Sequence, residues 1–387
     1  MTGQKGSEEM LKYPLFLSLF VILAGCVAPT VENVGFIPDV SAGEKMVPGA
    51  EPQILVSRVP SGPGGDIVLP DATDVRVESF RIEAVGESMV LTEFPLVNAG
   101  DDAPIMNVVI SYRDSDGAMR TSTWYFSDGE ALFEGQSVFL PEGVPVAMSV
   151  RVNSALSGDA DPGDAFRIDW DDSAGVSAIG LETGRAYDES ITTDFVAGVE
   201  MAWYYAKPSV NGDVCGTADA GFPGANEMLF FDIDANSGGD VGFGGMFLRL
   251  SFTDKGRSNW NRCGTLDDPE KFLLYRAASM PAPIEEAEWS FYAADGTNCD
   301  DVVSPRPPPV AFASVTGLTE VISAGGGDSI GYTEYRLMVD TTGASGPNND
   351  TSGIRAEELD LTDIEGGVPI DLSYVRGVPF CGVTLHY

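Results

Sequence analysis

Between residues 75 and 170 apolar side chains recur at every second position, in runs too short for helices. Val75-Arg-Val-Glu-Ser-Phe-Arg-Ile-Glu-Ala84 alternates apolar with polar, and so do Val146 to Val152 and Ala165 to Trp170. A period of two matches the pleat of a half-buried strand, whose side chains point in turn to core and solvent. Met89 to Phe94, Val108 to Tyr112, Thr121 to Phe126, Ala131 to Phe133 and Val138 to Leu140 are shorter runs of the same kind. Turn chemistry separates them. Asp116-Gly117 accepts the positive φ of a tight hairpin, Pro141-Glu-Gly-Val-Pro145 turns the chain, and Gly158 to Asp164 reads as a loop. Short strands with turns every 8–12 residues or so predict an all-β sandwich.

The second half echoes the first. Phe80-Arg-Ile-Glu-Ala84 matches Phe231-Asp-Ile-Asp-Ala235, and each is followed by a short apolar run, Met89 to Leu91 or Val241 to Phe243. Ile110-Ser-Tyr with Asp116-Gly117 is set beside Ser290-Phe-Tyr with Asp295-Gly296. Val150-Arg-Val-Asn153 matches Leu337-Met-Val-Asp340, and Phe166-Arg-Ile-Asp169 matches Ile354-Arg-Ala-Glu357. Echoes in the same order predict two copies of one fold. The longer stretch to Met280 in the second copy predicts a short helix near Pro269 to Leu274. This order of strands, hairpin and turn resembles the tandem immunoglobulin-like β-sandwich domains of bacterial surface proteins. The resemblance covers roughly residues 53–387, implies a structural or adhesive role, and transfers no catalytic residue. The expected domains are residues 53–195 and 196–387, the second opening at Met201-Ala-Trp-Tyr-Tyr205.

The N-terminal end is different. Leu15 to Ala24 is apolar except for Ser18, follows Lys12, and is too short to span a membrane, which takes about 20 residues. It fits the apolar core of a secretory signal. Leu23-Ala24-Gly25-Cys26 at its end resembles the bacterial lipoprotein box, which implies that Cys26 is acylated and becomes the mature N-terminus. Residues 1–26 are then the signal. Residues 10–26 make a complete signal by themselves, so a start at Met10 stays open beside Met1. Residues 27–52, rich in Pro, Gly, Ala and Val, read as a flexible tether. The implied place is the cell envelope, on the outer side of the cytoplasmic membrane or exposed at the cell surface, held to the membrane by the lipid on Cys26.

Charge narrows the partners. The 387 residues carry 22 Lys+Arg against 59 Asp+Glu, a net charge of -37. Such a polyanion repels nucleic acid and leaves surface proteins or glycans as expected partners. Besides Cys26, four cysteines remain: Cys215, Cys263, Cys299 and Cys381. Outside the cytoplasm an even set predicts disulfides. Three pairings are open, and order along the chain favours Cys215 with Cys263 and Cys299 with Cys381. Zinc is disfavoured, because there is no Cys-x-x-Cys and the sole histidine is His386.

Little catalytic chemistry is legible. A nucleophile needs a base beside it, and His386 lies one residue from the last position. Asp232 to Asp240 looks like a calcium loop, but Ser237 stands where the turn glycine belongs and Phe243 where the bidentate glutamate belongs. Asp159, Asp161 and Asp164 around Pro162-Gly163 form a weak calcium candidate, read mainly as a solvated turn. No other cofactor is expected. Trp260, in Asn259-Trp-Asn, reads as exposed and as a candidate sugar platform, whereas Trp124, Trp170, Trp203 and Trp289 lie in strand-like runs where core packing is the default.

The chain therefore reads as a non-catalytic, lipid-anchored surface protein with a structural or adhesive role. A carbohydrate-binding lipoprotein is the alternative, and a glycoside hydrolase with an unlocated carboxylate pair comes after it. Intact mass of the full-length protein from its native membrane is expected to fit a chain that starts at Cys26 and carries acyl mass. It should rise by about four hydrogens on reduction. A leader left uncut, or cut without acylation, removes the lipoprotein reading.

Overall fold

The alternating runs are strands, and their apolar faces decide how the sheets lie. A computed structural model describes residues 52–60, 64–172, 175–188, 192–193, 195–212, 215–236, 238–325 and 331–387. The signal, Cys26 and residues 27–51 of the tether lie outside the described residues. The described structure is all-β, with only 3-10 turns as helical elements.

The first half is two facing sheets. One runs in the order Gln53–Arg58, Val75–Val85, Val146–Ser154, Ile105–Arg113, Met119–Trp124. The other is built on Met89–Asn98, which pairs with Ala165–Trp170, Glu130–Phe133, Val138–Leu140 and Ser177–Gly180. The inward residues of each alternation meet between the sheets. Trp170 stacks on Phe94 with centroids 5.1 Å apart and takes Phe80 edge-on at 6.0 Å. All three rings are fully buried, and truncating rings of this kind typically costs about 3–5 kcal/mol.

The second half repeats the plan. Ser209–Gly212, Ala225–Asp234, Tyr332–Asp340 and Phe272–Arg276 form one sheet in that order. Val241–Thr253 is the central strand of the other, flanked by Thr351–Asp363 on one side and by Val310–Thr316 and Glu320–Ile322 on the other. Glu288–Ala293 extends this sheet beyond Val310–Thr316. Phe380–Cys381 and Thr384–His386 lie along Thr351–Asp363.

The two halves agree in register as well as in order. Phe80 pairs with Met148, and Phe231 pairs with Tyr335. A β-bulge interrupts the first ladder between Arg76 and Glu78 and the second between Glu227 and Leu229. Those positions coincide when Phe80 is laid on Phe231. Three of the four sequence echoes therefore fall on equivalent strands. The remaining one does not. Ile110 pairs with Val150 and Leu274 pairs with Leu337, so the counterpart of Ile110-Ser-Tyr112 is Leu274-Tyr-Arg276. Ser290-Phe-Tyr292 lies instead in the facing sheet. The helix expected over Pro269 to Leu274 is a 3-10 turn at Pro269–Lys271 followed by the Phe272 strand. Lateral pairing with Tyr332–Asp340 wins there over local turn signals.

The copies also differ inside. Arg276 forms a bidentate pair with Glu320, which is 6% exposed, and the Tyr335 hydroxyl points at the same carboxylate. Burial, reinforced by that carboxylate, pushes the Tyr335 phenol far above its ordinary range. In the first copy the place of Tyr335 belongs to the apolar Met148, and that of Arg276 to Tyr112, which bonds Gln136.

The halves are joined by packed structure. Glu200–Trp203, expected to open the second half, is a strand of the first, pairing with Ala165–Trp170 and Ile67–Val68. The chain then passes over Asp363, the last residue of the Thr351 strand, which is fully buried. Its Oδ2 accepts from the amides of Tyr205 at 2.7 Å and Ala206 at 3.3 Å, and its Oδ1 accepts from Gly366 at 3.0 Å. Around this point Asp66 receives both Lys207 and Arg376. Ile67, Ala202 and Tyr204 belong to the core of the second half. Asp363→Ala would strand three buried or half-buried amides, and its loss should cost about 3 kcal/mol or more. Asp363→Asn, which keeps one acceptor oxygen, should cost visibly less. Urea midpoints of the two variants test this, and equal small losses would show that the junction does not depend on Asp363.

Candidate functional site

The residues singled out by sequence do not converge. Asp164 Oδ2 accepts from the Asp161 amide at 2.9 Å, which closes the turn, while Pro162 packs on Gly366 of the second half. The Asp159–Asp164 loop thus wraps the junction. Among the described residues no group of three or more His, Cys, Asp and Glu side chains is placed to hold a metal. Asp232 accepts from Asn211, and Asp234 and Asp240 accept from the amides of Asn236 and Ala324.

Trp260 is not exposed. It is 1% accessible and sits edge-on to Phe252, at 5.1 Å, and beside Tyr387, at 6.1 Å. The polar neighbours that made it read as a surface residue belong to the turn, whereas the indole fills the end of the core. The disulfides also correct the expected order: Cys215 bonds Cys381 and Cys263 bonds Cys299. The Phe380 strand lies against Arg355 and Ala356, and that placement carries Cys381 to Cys215. Two disulfides belong to an oxidising compartment. No helix of the described residues is long and apolar enough to cross a membrane.

Among the described residues, arginines, hydroxyls and aromatic rings gather on the outer face of the sheet built on Val241–Thr253. There Leu248 and Leu250 point into the core, so Phe247, Arg249 and Ser251 point outward. Register then builds a row. Cys381, Arg355, Arg249, Phe312 and Tyr292 are successive partners across five strands. Neighbouring strands are about 4.8 Å apart, so these side chains stand side by side. Phe247 and Phe312 stack with centroids 5.5 Å apart and planes at 14°. Both rings and Tyr292 are half-buried.

On the other side of Arg249 lies an open pocket of about 260 Å³. It is lined by Arg249, Ser251, Arg355, Thr384, the Cys381 end of the disulfide and four residues with little or no polar side chain: Gly216, Gly353, Ile354 and Gly382. A Cβ at Gly353 would lie 2.9 Å from Ser251 Oγ and 3.2 Å from Thr384 Oγ1, so glycine leaves room beside both hydroxyls, of which that of Ser251 donates to the Gly353 carbonyl at 3.5 Å. Arg355 Nε stands 3.4 Å from Glu357. Arg249 is exposed and its side chain makes no ion pair or hydrogen bond among the described residues. Alternation in Phe247-Leu-Arg-Leu-Ser251 was the available sequence signal for this face. The row itself depends on partners drawn from five strands far apart in the chain.

The chain matches no protein-family model and no curated protein. A solved structure titled "Chaperone-tip adhesin complex is vital for synergistic activation of CFA/I fimbriae biogenesis" is similar over 78% of this chain and 97% of its own. Sequence identity is 10% and the TM-score 0.14.

Like charges placed directly opposite on adjacent strands destabilise a sheet. Arg249→Thr is therefore expected to raise the stability by about 0.5 kcal/mol, read as a higher urea midpoint. A midpoint at or below wild type would show that the two guanidinium groups are not in conflict.

Proposed function

We propose that this chain is a non-catalytic, lipid-anchored protein of the cell envelope with an adhesive role, and that its contact surface is the outer face of the Val241 sheet. The observation that carries the reading is the row of half-buried aromatics beside an unpaired arginine. Phe247, Phe312 and Tyr292 give this face apolar surface beside a cation in a chain so rich in acids, a composition that suits a contact surface. The acyl group on Cys26 is the proposed anchor, with the residues after it as tether. Two disulfides support an extracytoplasmic setting. His386 is exposed on the Thr384–His386 strand.

Carbohydrate is the favoured thing to adhere to. The aromatic row supplies apolar surface of the kind on which the C–H face of a sugar ring packs, next to hydroxyls and a cation that can bond its oxygens. Trp260, being buried, has no part in this.

Wild-type chain coupled to beads through its N-terminal region, settled on immobilised glycans and envelope proteins, tests the proposal. Beads carrying a Phe247→Ser/Phe312→Ser variant should detach, with thermal unfolding changed little. Equal adhesion of variant and wild-type beads would remove this face from the contact.

A further inference from the structure

The geometry points to an acidic saccharide as the ligand of this face, its carboxylate held between Arg249 and Arg355 and its ring system extending over Phe312 and Phe247. The inference rests on the glycan-adhesion reading and names the class of sugar. Three observations carry it. First, Arg249 and Arg355 are direct cross-strand partners, and no described acid neutralises Arg249 although Asp+Glu outnumber Lys+Arg by 59 to 22. Two guanidinium groups on one side of a sheet are relieved by an anion between them, and a planar carboxylate accepts two parallel N–H bonds from one fork while keeping lone pairs for the other. Second, the space is kept. The pocket beside the pair holds about 260 Å³, with Ser251 and Thr384 hydroxyls over Gly353. Third, the aromatic stack begins at Phe312, the partner of Arg249 on its other side, so the anionic and apolar parts of the face are contiguous.

The first half supplies an internal control. Arg167 occupies the place of Arg355, one residue before Ile168 as Arg355 is one before Ala356. It is bound by Asp169 at 2.8 and 2.9 Å. Its carbonyl accepts from the Ala99 amide, so Ala99 stands where Arg249 stands in the second half. The Met89 strand ends at Asn98, whereas the Val241 strand continues to Thr253. One copy therefore has a single, paired arginine, and the other has two arginines, one of them unpaired. General solvation of a strand does not account for that difference.

Titration calorimetry of the full disulfide-bonded chain with tri-galacturonate, its methyl ester and sulfated dextran tests the assignment. Tri-galacturonate is expected to bind, the ester to bind at least tenfold more weakly, and Arg249→Met to weaken the acid form at least tenfold while raising the urea midpoint. Arg249→Lys, which keeps the charge and loses the fork, should recover less than half of the binding free energy lost. Equal binding of acid and ester would overturn carboxylate recognition and leave the glycan reading standing. A preference for sulfated dextran would overturn it in favour of a tetrahedral anion. Failure of all three probes to bind overturns it outright. So does a wild-type dimer that Arg249→Met makes monomeric, which would assign the arginine pair to a second copy of the chain. The bead assay reads adhesion separately, so loss of the acidic-sugar assignment and loss of the adhesive reading are distinguishable.

Discussion

One buried carboxylate holds the described structure together. Asp363 ends a strand of the second half, yet two of its three hydrogen bonds go to Tyr205 and Ala206, where the chain leaves the first half. A carboxylate taken wholly out of water is tolerable only when its oxygens are satisfied, and here backbone amides from both halves do this. The requirement works in both directions. The segment after Trp203 must arrive at that carboxylate for the charge to be buried, and the charge leaves that segment no alternative path. Tyr204, Pro162 and the Asp66 ion pairs then close around a junction already determined.

The same ladder occurs twice, once in each half. A shared strand order can arise because few sandwich topologies are easy to reach. A bulge at the same residue of the same ladder is harder to explain that way, since bulges are specific local features. The copies have since diverged where the sheets face away from the core. The second carries longer central strands, extra strands along Thr351–Asp363, both disulfides and the arginine row. Where the first copy has Met148 and a Tyr112–Gln136 hydrogen bond, the second has the Arg276–Glu320–Tyr335 cluster, an ion pair whose carboxylate is buried and whose arginine reaches the surface.

Much of the architecture was legible because it is written in local periodicity. Alternation marks a strand wherever one face is buried, and Val75–Val85, Val146–Ser154 and Ala165–Trp170 follow from it nearly residue for residue. What was not legible depends on long-range register. Trp260 sits among Asn259, Asn261 and Arg262, and nothing local says that Phe252 and Tyr387 close over it. Order along the chain does not give the cysteine pairing: loop-closure entropy grows only slowly with length, so the long Cys215–Cys381 loop is no obstacle, and the strand carrying Cys381 decides its partner. Arg249 and Arg355 are each unremarkable in sequence, and they become a pair only when two strands lie in one particular register. Phe80 and Phe231 announced the duplication, while the false echo at Ser290 shows how easily an aromatic strand with an Asp-Gly turn imitates another.

The Cys215–Cys381 bond has a mechanical consequence. It closes a loop of 166 residues of sequence separation around nearly all of the second half. A pull applied between the two ends of the chain loads that loop at its cysteines. With that bond intact, the chain between the two cysteines cannot lengthen even if its sheets come apart. At about 3.4 Å per extended residue it withholds on the order of 500 Å of slack. Force entering from the first half meets a covalent short cut to the strand beside Arg355. Cys381, the partner of Arg355 across the sheet, is thus a point where such a pull is borne by a sulfur–sulfur bond before it reaches the sheet.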